Sequence, residues 1–220
     1  MSRTLFLPKL ENVPELNFNY EGLRRHALVR LLVSESMLSD QERKLRGWLL
    51  HTLVCAARYY TRARELVALQ DSPSKDKSSG TIFYTLDIAE QIENCISATF
   101  RAYMAIDRLS KTNVELSMHI ENSRQSFDKL SRIRNQFEHM HSQIVSGEIG
   151  DGPMSICFYD SGRIIKFRNL SIDTLALQDL IKTIYLIVAE MYPAFDASSI
   201  PESGGPIKIS VSFQVVQRQE

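Results

Sequence analysis

From Glu21 to about Ser36, Leu23, Ala27, Leu28, Leu31 and Leu32 recur at three- and four-residue spacing, the period of a short amphipathic helix. Ser39 follows with Glu42 three residues on, a capping-box pattern that predicts the start of a long helix reaching about Leu69. Its middle, Trp48 to Tyr60, is apolar on nearly every side, which places it centrally. The stretch Asp71 to Gly80 is polar, holds Pro73 and Gly80, and has nothing to bury, so it reads as a solvated loop. Beyond it Ile82, Leu86, Ala89, Ile96, Phe100 and Tyr103 form a helical stripe that predicts a second long helix to about Leu109. A third is expected from about Val114 to Val145, ended by Gly147, Gly150, Gly152 and Pro153.

The period then shortens to two. The runs MSICFY and RIIKF flank Asp160-Ser161-Gly162 and predict a small hairpin at about 154–168. Ser171 is read as the cap of a strongly apolar helix to about Tyr192. A Gly/Pro/Ser loop follows, and Ile207 to Val216 alternates like a strand in need of a partner. The expected fold is therefore mainly α: a bundle of four to five helices with a hairpin before the last core helix and a C-terminal strand. Residues 1–38 form an arm and short helix, 39–192 the helical domain, and 193–220 a loop and strand.

The third long helix carries the chemistry. Phe127, Leu130, Ile133, Phe137 and Ile144 make its apolar stripe, and Arg134 falls at the margin. Asn135, Glu138 and His139 fall on the adjoining polar face with Arg124, Asp128 and Ser131. Arginine and histidine at this spacing are a weak signal, because Arg46 with His51 fits it too. The residues between Arg46 and His51 are Gly-Trp-Leu-Leu, with no polar partner, whereas Arg134 is followed by Asn135, which can orient a side chain or hold a phosphate. On an ideal helix Arg134 and His139 point about 140° apart, so a single copy brings them together only through the reach of the arginine. Two copies across a two-fold axis would face both pairs into one groove.

The hexapeptide Arg134-Asn135-Gln136-Phe137-Glu138-His139, read as R-N-x-x-x-H on the penultimate long helix, resembles the signature of the HEPN superfamily. The resemblance covers about Ser39 to Tyr192. It implies a homodimeric, metal-independent endoribonuclease that acts on RNA, tRNA or mRNA among the targets, at a composite dimer site, without a cofactor. It implies a toxin or phage-defence effector, with a cognate antitoxin or sensor protein as partner. In that setting His139 is the general acid or base at the RNA 2′-hydroxyl, because imidazole titrates near neutral pH. Arg134 stabilises charge on the scissile phosphate, and Asn135 positions Arg134 or the phosphate. Glu138 and His141 are auxiliary candidates. His141 stands where many HEPN members with a paired nucleotidyltransferase have tyrosine; it is read first as packing towards the apolar stripe and otherwise as a second acid or base. The competing reading is a non-catalytic HEPN-like module that dimerises and binds a protein partner or nucleotide.

Composition narrows these readings. With 220 residues, 44% hydrophobic, the chain suits one domain with extensions. Lys plus Arg equals Asp plus Glu at 26 each, so there is no overall basic field and any RNA contact must be local. Arg58, Arg62 and Arg64, and Arg163, Lys166 and Arg168 in the hairpin, are basic stretches of the kind that usually solvate a face. Cys55, Cys95 and Cys157 show no zinc spacing and read as reduced core residues of a cytoplasmic protein. The apolar stretch in Met1 to Leu10 is too short for a signal-peptide core, and no run reaches the roughly 20 residues of a membrane span.

Overall fold

The structure is a computed structural model that describes residues 7–23, 38–71, 81–111, 114–121, 123–148 and 155–191. Among them are helices α1 (Asp40–Asp71), α2 (Thr81–Ser110), α3 (Val114–Glu121), α4 (Arg124–Val145) and α5 (Thr174–Met191), and strands β1 (Cys157–Tyr159), β2 (Ile164–Phe167) and β3 (Leu170–Asp173). The protein is mainly helical, with one small antiparallel sheet in the order β1-β2-β3.

The capping box forms as expected. The Glu42 backbone N–H donates to Ser39 Oγ at 3.2 Å, and a Glu42 carboxylate oxygen accepts from the Ser39 backbone N–H at 3.1 Å and its hydroxyl at 2.8 Å. These bonds hold the Glu42 carboxyl below its usual range. From there α1 and α2 pack antiparallel along their length: Cys55 lies near Arg101, Tyr60 near Cys95, and Glu65 shares a cleft with Gln91. Leu49, Leu53, Ala56, Ala57, Tyr60 and Ala63 of α1 are buried, as are Ile88, Ile92, Ile96, Ala102 and Ile106 of α2. One flank of α1 still faces solvent, where Trp48 is 48% exposed beside exposed His51, so the helix is less enclosed than its composition suggests. Leu86 is likewise exposed, and the buried stripe of α2 runs through Thr85 and Ile88 instead.

The expected third helix is two. The Ser123 N–H turns back onto the Ile120 carbonyl at 3.0 Å, and the Ser123 carbonyl accepts from Ser126 and Phe127 to start α4. Arg124 bonds Glu121 across the break at 2.9 Å. Helix α4 crosses α2 in antiparallel sense, with Phe127 stacked on Tyr103 at 4.0 Å and Arg134 over Phe100. Phe127, Leu130 and Ile133 are buried, but Ile144, read as part of that stripe, is exposed with Val145, because the last turn of α4 runs past the packed core.

The hairpin forms at its expected place and gains a strand. Register places Phe158, Ile165 and Ile172 in one buried row across the sheet, and Phe167 packs on Phe137 of α4 at 4.1 Å. Ser171 lies in β3 and does not cap α5. That role falls to Asp173, whose carboxylate accepts the Leu175 N–H at 2.8 Å.

Residues 7–19 of the arm form a strap. Val13 and Leu16 are buried, and Phe18 stacks on Tyr185 of α5 at 4.2 Å. Tyr60 donates to the Pro14 carbonyl, Arg64 to the Val13 carbonyl and Gln178 to the Glu15 carbonyl. The Lys9 N–H reaches the Ser161 carbonyl at 2.8 Å, so the strap ties α1, α5 and the β1–β2 turn together. A helix starts at Tyr20, with Asn19 accepting the Gly22 N–H. The rest of that expected helix, the polar loop after Asp71 and the strand expected at Ile207 to Val216 lie outside the described residues.

Candidate functional site on helix α4

Arg134 is the best-held polar residue on α4. Its position at the edge of the apolar stripe keeps the aliphatic stem against the core, and its side chain is 23% exposed. The guanidinium carbon sits 5.2 Å from the centroid of the Phe100 ring on α2. Nη1 donates to Asn135 Oδ1 at 3.1 Å, Nη2 forms an ion pair with Glu138 one turn on, and Nε is buried without a hydrogen-bond partner. In the sequence Phe100, on a helix separated from α4 by α3, reads only as an apolar position; nothing in the local pattern marks it as the floor under a charge.

His139 stands apart from this cluster. It is exposed on the solvent face, its carbonyl accepts from Ser142 Oγ at 2.8 Å, and its ring engages no described residue. The helical geometry that separates it from Arg134 by about 140° is retained, since α4 is regular from Arg124 to Val145. The structure therefore brings together Arg134, Asn135 and Glu138, and leaves His139 free on the neighbouring face. His141 does not pack as read from its wheel position: it is exposed, as Ile144 is, because among the described residues no element covers that face at the end of α4.

The flank of α4 opposite Arg134 is fixed by the sheet. Gln136 donates to Asn169 Oδ1 at 3.4 Å, and Arg168, in the β2–β3 turn with φ of 55°, donates to Gln143 at 2.9 Å. These contacts, with Phe137 on Phe167, set the rotation of the helix about its axis and so the faces on which Arg134 and His139 emerge.

The other candidates are occupied or plain. Arg46 and His51 do not meet as a polar pair: Arg46 Nε is buried without a partner, and His51 contacts Cys55 Sγ at 3.7 Å. Arg64 is taken by the strap and Arg62 by Glu65. Arg58 lines a cleft of about 370 Å³ with Tyr20, Tyr59 and Gln91, but Glu21 and Glu65 line it too, so it carries no net positive field. In the hairpin Arg163 pairs with Asp160, Lys166 covers the Tyr159 ring and Arg168 is used as above. All three cysteines are free thiols; Cys95 is fully buried, and burial pushes it up to about 12, while Cys55 and Cys157 are only half-buried. Among the described residues no group of three or more His, Cys, Asp or Glu is placed to hold a metal ion, and no helix is long and apolar enough to cross a membrane.

No protein-family model matches the chain, and neither a curated protein nor a solved structure matches it.

Proposed function

We propose that this protein is a metal-independent endoribonuclease of HEPN type, acting as a homodimer in the cytoplasm as a toxin or phage-defence effector. The observation that carries the reading lies on α4: an arginine oriented by its neighbouring asparagine and, on the adjoining face, a histidine whose ring is exposed and engages no described residue. A planar guanidinium suits the charge that builds on a phosphate under attack, and an imidazole suits a proton passed near neutral pH.

In this mechanism a 2′-hydroxyl loses its proton to one histidine as its oxygen attacks the adjacent phosphorus. The bond from phosphorus to the 5′-oxygen breaks, and that oxygen leaves with a proton from a second acid. The products are a 2′,3′-cyclic phosphate and a 5′-hydroxyl end. Because Arg134 and His139 of one copy emerge on different faces, the second copy is the natural source of the complementary group. The test is incubation of the purified protein with tRNA or total RNA in EDTA. Cleavage is expected, and His139→Ala should lower it by about a hundredfold or more, the scale of general acid–base catalysis. Absence of cleavage, or full activity in both His139→Ala and Arg134→Ala, would sink the proposal.

A second reading rests on the Arg134–Glu138 ion pair, which neutralises the arginine within its own helix as a non-catalytic binding module would need. It expects the same substitutions to alter dimerisation and leave RNA intact, so sedimentation of wild type and variants separates the two.

A further inference from the structure

Arg134 already holds an anion, the carboxylate of Glu138. Arginine recognises a carboxylate or phosphate best through two parallel N–H donors, and Glu138 engages Nη2 while Nε keeps no partner. The internal carboxylate thus fills the arginine fork incompletely. Three further contacts fix where the fork points, and none of them consumes it fully: the Phe100 ring lies under the guanidinium, Asn135 takes Nη1, and the stem is packed against the core. Glu138 itself is 44% exposed on the helix surface and is tied to no other described residue, so it can swing away by rotating its own side chain without disturbing the fold.

We infer that Glu138 is a built-in competitor for the phosphate seat of Arg134, an anion that must be displaced before a nucleic-acid phosphate can occupy the guanidinium held over Phe100. The inference rests on the reading of Arg134 as a phosphate-binding group. A phosphate has the advantage over Glu138 because it is free to align with the guanidinium edge, whereas Glu138 is tethered one turn away on the same helix and engages Nη2 alone; Glu138 opposes it twice, by occupying Nη2 and by placing a negative charge beside the incoming anion. An i, i+4 pair whose carboxylate partner is 44% exposed is weak, which makes it a threshold rather than a block. The device makes affinity low for isolated phosphates and favours a strand long enough to bring other contacts.

A short RNA in which every ribose is 2′-O-methylated binds without being cleaved, so its affinity reads the seat separately from the chemistry. Fluorescence anisotropy with this oligonucleotide is compared for wild type, Glu138→Gln, Arg134→Ala and the double variant, alongside cleavage of the unmodified RNA. Glu138→Gln should tighten binding by about fivefold, the scale of a weak surface pair removed. The gain should disappear when Arg134 is absent. Equal affinity for wild type and Glu138→Gln, no binding by either, or a gain that persists in the Arg134→Ala background, each overturns the inference. Tightening that depends on Arg134, in a protein that cleaves no RNA, upholds the inference and overturns the ribonuclease reading instead. Glu138→Ala, which removes the carboxylate with a good helix former, must move affinity in the same direction.

Discussion

Arg134 and Phe100 meet across the α2–α4 contact, with the guanidinium carbon 5.2 Å from the ring centroid. The pair links the aim of a charged side chain to the packing of two helices that are not consecutive in the chain. Replacing Phe100 with Leu keeps an apolar floor and removes the ring face. The expected outcome is a coupling of about 0.5–1 kcal/mol between positions 100 and 134 in a double-mutant cycle with Arg134→Met, followed by urea denaturation. A coupling indistinguishable from zero would show that the ring supplies bulk alone.

Tyr60 is fully buried on α1, and its hydroxyl donates to the Pro14 carbonyl at 2.9 Å. Its burial raises the phenol well above the ordinary tyrosine value, so it stays protonated and a donor across the accessible pH range. Tyr60→Phe leaves that carbonyl without its partner and should cost about 1 kcal/mol in urea denaturation. Protease cutting of the strap between Leu7 and Leu16 should quicken in parallel; unchanged cutting would mean that Val13 and Leu16 alone hold the strap down.

Gly162 closes the β1–β2 turn with φ of 97°, and a Cβ there would lie 2.7 Å from Pro8 Cβ and 2.9 Å from Pro8 Cα. The Lys9 N–H and the Asn12 side chain both bond the neighbouring Ser161 carbonyl, so the strap cannot retreat without losing them. Gly162→Ala is therefore expected to destabilise by about 1–3 kcal/mol, through backbone strain and displacement of Pro8. A melting temperature equal to wild type would contradict this close approach.

The features legible in the sequence were those set by short-range chemistry. Ser39 with Glu42 announced α1, and Asp160-Ser161-Gly162 announced the hairpin, because each needs only residues within a few positions. Strand β3 was missed for the same reason: Leu170-Ser171-Ile172-Asp173 alternates for only four residues, and a polar residue before an apolar run looks like a helix cap wherever its partner strand lies. The break at Ser123 was hidden because Ile120 and Phe127, on either side, both remain in phase with the core. At the candidate site the polar face of α4 could be read from the helical wheel, yet the wheel assigned Ile144 and His141 to packing, since it knows the phase of a residue and not where its neighbours end. The Phe100 floor depends on a crossing between helices, which no local period encodes.

Glu93 of α2 is half-buried, and burial, with the nearby Glu90 carboxylate adding to it, pushes its pKa above the ordinary glutamate value. A carboxyl whose folded pKa exceeds its unfolded one binds its proton more tightly in the native state. It therefore favours folding fully below the unfolded value, and that contribution is lost as pH rises through the raised folded value. At neutral pH the ionised group is then a net liability, because the charge must be held where solvent is partly excluded. Glu93→Gln keeps the shape and removes the charge, so it should raise the melting temperature at pH 7. The advantage should shrink as the pH is lowered and vanish once the wild-type carboxyl is protonated in both states. Thermal melts of the two proteins from pH 3 to pH 8 would show this as curves that converge in acid; parallel curves, or a variant less stable at neutral pH, would assign Glu93 a favourable partner that offsets its burial.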